Sequence, residues 1–174
     1  MKKLTILVFL SLSTFYSFSQ DNGLHKLQFL IGDWKGTGSG FGNSTSEITA
    51  SYNFIMNNKY IEVTHESNFK PTEQNPKGEY HIDKGFISFD TSRNKLVYRQ
   101  FNNEGYVNQY ILNEELSTDD IFIFETELIE NFVPGGKARL TIEKISVSEI
   151  KTIFDVSFPN KEYSCFGTNS LIKQ

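Results

Sequence analysis

Gly32-Asp33-Trp34-Lys35-Gly36-Thr37-Gly38-Ser39-Gly40 alternates glycine and one tryptophan with polar residues at a strict period of two. In an extended chain that period is one face. Gly32, Trp34, Gly36, Gly38 and Gly40 therefore point one way, and Asp33, Lys35, Thr37 and Ser39 the other. The glycine face carries a single large ring and then bare backbone. Two uses follow: the strand can coil sharply as a barrel closes, or the bare backbone can form a flat wall for a planar ligand.

On the N-terminal side, Leu24, Leu27, Phe29 and Leu30 make a short apolar plug of one or two helical turns, too short to be stable alone. On the C-terminal side the chain reads as strand after strand, at 47–56, 60–69, 79–90, 95–102, 106–116, 120–130, 137–147, 150–158 and 163–172. Turn-forming residues separate them, including Asn57-Asn58, Asn103-Glu104-Gly105, Pro134-Gly135-Gly136 and Pro159-Asn160-Lys161. Short connections without a helical period imply antiparallel neighbours in up-and-down order. Such a sheet must close or leave adhesive edges. The predicted fold is all-β: a closed up-and-down antiparallel barrel of about ten strands with a short N-terminal helical plug. About eight strands fill their own interior, so about ten enclose a cavity. A two-sheet sandwich is the alternative, but connections this short do not supply Greek-key crossings. The longest loop, Lys70 to Lys77, is a candidate flap at the rim.

Lys2 and Lys3 precede the apolar run Leu4 to Leu12, and Ser17-Phe18-Ser19 places small residues where a signal peptidase reads. The expected organisation is a signal peptide at 1–19 and a single barrel domain at 20–174, exported to the periplasm or outside the cell. The apolar run is too short and serine-rich to span about 30 Å of hydrocarbon, so no transmembrane segment is expected in the mature chain. Loss of those two lysines takes the formal charge from −4 to −6, which repels phosphate backbones and excludes nucleic acid as a partner. Cys165 is the lone cysteine, so an internal disulfide is excluded; it is expected to be a small buried apolar residue.

A tight turn at Asn57-Asn58 pairs Phe54 with Ile61, Tyr52 with Val63 and Ala50 with His65. These residues share one face, which the apolar set Ile48, Ala50, Tyr52, Phe54, Ile61 and Val63 makes interior; His65 goes with them. A symmetric loop around Glu73 sets His65 opposite His81 or Ile82, with Asp83 on the side of His81. Nitrogen and oxygen ligands for a divalent ion could meet there, although a hydrogen-bonded cavity histidine is the preferred reading and no metal site is assigned. Arg99, between Tyr98 and Phe101, is a candidate buried cation for a carboxylate ligand, or else an outward-facing arginine. No nucleophile, base and orienting group assemble, and Glu125, Glu127, Glu130 and Glu143 are expected on a solvated face. Residues Ile121-Phe122-Ile123-Phe124 place large apolar groups on both faces, which calls for cover by the plug or by a second protomer in a homodimer.

The stretch from Leu27 to Gly40 resembles the opening of calycin-like barrels, whose first strand carries Gly-x-Trp with the tryptophan closing one end. Its alternate glycines are similar to those of nitrobindin-type heme-binding barrels, while Asn58 to Tyr110 resembles a family of uncharacterised exported lipocalin-like proteins. The nitrobindin resemblance implies a ten-stranded barrel holding heme through a histidine close to the C-terminus. Tyr163 to Gln174 contains no histidine; Cys165 or Tyr163 is the only substitute there. The lipocalin resemblance implies a late-strand cation against the tryptophan, a place only Arg139 or Lys173 can take.

These observations lead to an exported, non-enzymatic protein that binds a small, largely apolar molecule in a barrel cavity. The expected binding residues are Trp34, Gly36, Gly38, Tyr52, Phe54, Val63, His65 and Arg99. Heme-dependent chemistry on nitrogen oxides or peroxides is one alternative, and a filled barrel acting as a structural or interaction module is another.

Overall fold

The computed structural model describes residues 23–40, 45–73 and 75–174. The expected signal peptide lies outside the described residues. A 3-10 helix at Leu24–Leu30 precedes ten strands: β1 (Gly32–Ser39), β2 (Thr45–Ile55), β3 (Tyr60–Phe69), β4 (Glu79–Asp90), β5 (Lys95–Asn102), β6 (Val107–Leu112), β7 (Ile121–Glu130), β8 (Lys137–Lys144), β9 (Glu149–Ser157) and β10 (Ser164–Lys173). Each strand pairs antiparallel with its neighbours in sequence, and β1 pairs with β10 to close the barrel. The all-β, up-and-down barrel is therefore the fold, and closure leaves no edge strand exposed.

One end of the barrel is packed solid. Leu24, Leu27 and Leu30 of the helix are buried with Trp34, Ile48, Leu96, Leu112, Ile150 and Leu171. The short helix is stable because its leucine face caps the barrel, not through its own propensity. Phe29 stacks on Phe122 at 5.3 Å, so the plug covers part of the apolar run in β7. Trp34 donates its ring N–H to the Leu30 carbonyl at 2.7 Å. Lys173 lies over the Trp34 ring at 5.3 Å and donates to the Phe29 carbonyl at 3.1 Å. Lys173, rather than Arg139, is thus the late-strand cation at the tryptophan; Arg139 pairs with Asp155.

The β2–β3 register is the expected one, with Phe54 opposite Ile61, Tyr52 opposite Val63 and Ala50 opposite His65. Its turn takes one more residue at each end than a two-residue hairpin, with Met56, Asn57 and Asn58 all at positive φ. The β3–β4 register differs from expectation: His65 lies opposite Asp83, and His81 lies opposite Ser67. The pairing of Phe69 with Glu79 centres the connection one position past Glu73, and Gly78 at φ 67° folds back onto the end of β3 just before β4 begins at Glu79. Bulges interrupt β10 between Cys165 and Gly167 and β7 at Glu127, opposite Gln109 and Tyr110 of β6. Both lie in the half of the barrel away from the plug.

Candidate functional site

A cavity of about 690 Å³ occupies the end opposite the plug. Its floor includes Tyr52, Val63, Ile87, Tyr98 and Ile142, just above the packed layer. Its rim is aromatic. Rings run from Tyr106 to Phe132 at 5.7 Å, on to Phe158 at 5.7 Å, and on to Phe166 at 6.2 Å. Tyr106 and Phe158 are both more than a third exposed, so the cavity meets solvent at this collar.

The walls differ by side. Strands β7 to β9 contribute Ile129, Ala138, Leu140, Ile142, Phe154 and Val156, with Thr152 the polar exception where β9 meets β10. Strands β3 to β6 instead turn His65, Ser67, Glu79, His81, Asp83, Gln100, Asn102 and Asn108 inward, while Tyr80, Phe86 and Phe101 of the same strands are exposed outside. In this half the usual apolar-in, polar-out pattern is reversed. Departures from the folding pattern of this kind mark functional sites.

The polar groups of the cavity are bonded to one another, across β9 and β10 as well as within β3 to β6. Asn169 donates through its amide nitrogen to Thr152 at 3.0 Å and faces His65 Nε2 at 3.2 Å. A nitrogen that accepts this bond carries no proton, so the His65 proton sits on Nδ1, which is 4.0 Å from Asp83 Oδ2. Burial pushes His65 down to about 4 and keeps it neutral. Burial, followed by the Glu104 charge, pushes Asp83 up to about 7 against the opposing effect of His81. Gln100 accepts hydrogen bonds from the Tyr110 hydroxyl and the Asn108 amide. Burial raises the phenols of Tyr52, Tyr98 and Tyr110, so all three are un-ionised hydroxyls. At the mouth, His81 meets Glu79 at 2.8 Å through Nε2 and Glu104 through Nδ1.

The expected binding residues divide into three groups. Tyr52, Val63 and His65 line the cavity. Trp34, Gly36, Gly38 and Phe54 lie behind or below its wall. A side-chain carbon at Gly36 would fall 1.9 Å from the Ser170 carbonyl oxygen, and one at Gly38 would fall 2.3 Å from Asn169 Oδ1. The glycines therefore admit β10 and Asn169 rather than expose backbone to a ligand. Phe54 packs against the core instead. Arg99 points outward, where it bonds Gln109 at 3.1 Å, because Tyr98 and Gln100 take the inward positions of β5. The described residues of the loop at 70–77 are exposed and contribute nothing to the lining.

Missed by sequence reasoning were Asp83 as the partner of His65, the inward Gln100 and Asn169, and Glu104 in a turn. Only the even spacing of Tyr98, Gln100 and Asn102 signalled the inward face of β5.

The residues present do not fit the heme ligation that the nitrobindin resemblance implies. The inward positions of β10 are Gly167, Asn169 and Leu171. Cys165 is exposed and holds its Sγ near Thr168 and Gly167, contrary to the expected burial. Tyr163 lies under the Arg139 guanidinium at 4.4 Å. Both cavity histidines have their nitrogens facing Asn169, Asp83, Glu79 or Glu104. Among the described residues no group of three His, Cys, Asp or Glu side chains is placed to hold a metal ion.

No protein-family model matches the chain, and no curated protein does. Solved structures do. The chain resembles Rv2717c from M. tuberculosis with a TM-score of 0.61 and 13% identity, over 87% of this chain and 96% of that one. Two further solved structures align at lower TM-scores. EF1p2_mFAP2b bound to DFHBI scores 0.46 with 14% identity, over 86% of this chain and 97% of its own. A de novo designed fluorescence-activating β-barrel scores 0.45 with 10% identity, over 84% of this chain and 95% of its own. At these identities the likeness is one of fold: a closed β-barrel, consistent with the calycin-like architecture. Among the described residues no helix is long and apolar enough to cross a membrane.

Proposed function

We propose that this chain is an exported, non-enzymatic binding protein that takes a small, largely apolar molecule into the barrel. One observation carries the proposal: a cavity of about 690 Å³ between an apolar wall and a polar one, opening through an aromatic collar. That volume lies within the range of about 300–1,000 Å³ typical of small-molecule sites. A barrel built only to fold would fill this space with side chains, as its own plugged end does. Export rests on Lys2, Lys3 and the apolar run that follows them.

The direct test is native mass spectrometry of protein purified from its cell of origin, followed by solvent extraction. A stoichiometric apolar compound is the expected result. Leu140→Trp, which projects a large ring into the apolar wall, abolishes its recovery. Recovery of the same compound from this variant places it elsewhere on the molecule and overturns the proposal.

A further inference from the structure

The cavity carries acids with no fixed cation to answer them. Glu79, Asp83 and Glu104 line it, and among the described lining residues there is neither lysine nor arginine. His81 sits between Glu79 and Glu104. Even a protonated ring is outnumbered three to one. Asp83 lies deeper, and the nearest ionisable ring, His65 Nδ1 at 4.0 Å, belongs to a neutral histidine. Below it, Tyr52 lines the floor at 4% exposure, and its hydroxyl has no hydrogen-bond partner among the described residues.

A carboxylate on a cavity wall without a counter-cation is unfavourable, and the Tyr52 hydroxyl opens onto the same cavity without a bond to the described residues. A ligand that brings positive charge relieves both at once. Its N–H groups donate to the carboxylate in charge-assisted bonds and to the phenol oxygen. The aromatic collar offers ring faces to a passing cation. A fatty acid does the reverse, setting a second anion beside Asp83.

Building on the binding function above, we propose that the cavity selects an organic cation: an apolar body against β7 to β9, with one protonated amine at Asp83 and the Tyr52 hydroxyl beneath it. The groups facing Asp83 are His65 from β3, His81 from its own strand, Glu104 from the β5–β6 turn, Tyr98 from β5 and Tyr110 from β6. None of them supplies a permanent positive charge. Burial and Glu104 hold Asp83 partly protonated near neutral pH, so the amine displaces that proton on entry.

Calorimetric titration of the full chain with decylamine, decanol and decanoate, each below its micelle concentration at pH 7, separates the cases. The amine is expected to bind at least about tenfold more tightly than the alcohol, and the carboxylate not at all. The heat of amine binding is expected to vary with the ionisation enthalpy of the buffer as Asp83 releases its proton. Asp83→Asn removes the preference for amine over alcohol. Glu104→Gln reduces it and supplies the same readout should Asp83→Asn fail to fold. Arg99→Gln, on the outer surface, matches the parent. Alcohol or carboxylate binding as tightly as the amine overturns the cation assignment and leaves the binding function standing. Binding of none of the three by folded protein overturns the binding function and the inference with it.

Discussion

At the scale of single residues, the glycines after Trp34 are where the chain is least tolerant, and for two different reasons. Gly36 faces a backbone carbonyl that cannot yield, whereas Gly38 faces the amide end of Asn169. Gly36→Ala should cost about 3 kcal/mol, the upper end of overpacking penalties, read as a lowered urea midpoint. Gly38→Ala should cost less but push Asn169 away from His65, seen as a shift of the His65 ring resonances. The alternation itself was legible from the sequence; what it admits was not, because the partner across β1 is the last strand of the chain. His65 and Asp83 give a second prediction. His65 is held to about 4 in the fold against 6.5 unfolded, so the unfolded chain binds more protons in that window and stability from this group falls as pH falls. Asp83 is held to about 7 against 3.8, so the folded chain binds more protons and stability from this group falls as pH rises. Between about 4 and about 6.5 the two slopes oppose and largely cancel. In Asp83→Asn, stability should therefore rise with pH across that window. In His65→Gln, it should fall from about 4 to about 7. Urea titrations at several pH values read both slopes, each at most about 1.4 kcal/mol per pH unit.

Among elements, the plug and the polar-walled strands obey opposite logic. The helix has 7 residues and no side-chain cap, so its packing against the barrel end holds it in place. Leu27→Ala should cost about 2–5 kcal/mol, because the site is fully buried among rigid strands that cannot collapse into the void. Lys173→Met should cost about 2 kcal/mol by orphaning the Phe29 carbonyl and removing the charge from the Trp34 ring. Thermal melts check both. Strand positions were legible to within a few residues, since turns and period-two patterns are local. Orientation in β4 and β5 was not, because they turn Asp83 and Gln100 into the cavity while exposing Phe86 and Phe101 outside. Arg99 is the clearest case. Its neighbours Tyr98 and Phe101 gave it no face, and the bulk of the Tyr98 ring, stacked on Tyr110 at 5.7 Å, decided it. The cation at Trp34 was narrowed to Arg139 or Lys173, and the Asp155 carboxylate beside Arg139 settles the choice.

For the whole molecule, the solid end and the hollow end divide stability from binding. The plug, Trp34 and the leucine layer hold the barrel closed, and closure needs no ligand, since β1 and β10 pair along their length. The hollow end forfeits packing: each apolar side chain on the β7 to β9 wall lacks neighbours on its inner side, which lowers stability in proportion to the void. A ligand restores those contacts only in the folded state, so binding and thermal stability must rise together. Decylamine at about a hundred times its dissociation constant adds about 2.7 kcal/mol. For a chain of this length that should raise Tm by about 5–10 °C. Leu140→Trp should melt within about 3 °C of the parent without ligand, because a ring in an existing void overpacks little, and should show no rise with it. The decisive comparison is between the two ends. Leu27→Ala should start from a much lower Tm yet keep the full ligand-induced rise, whereas Leu140→Trp should start near the parent and lose it. A barrel whose two ends were energetically one unit would lose both together, and differential scanning calorimetry of these two variants distinguishes the cases.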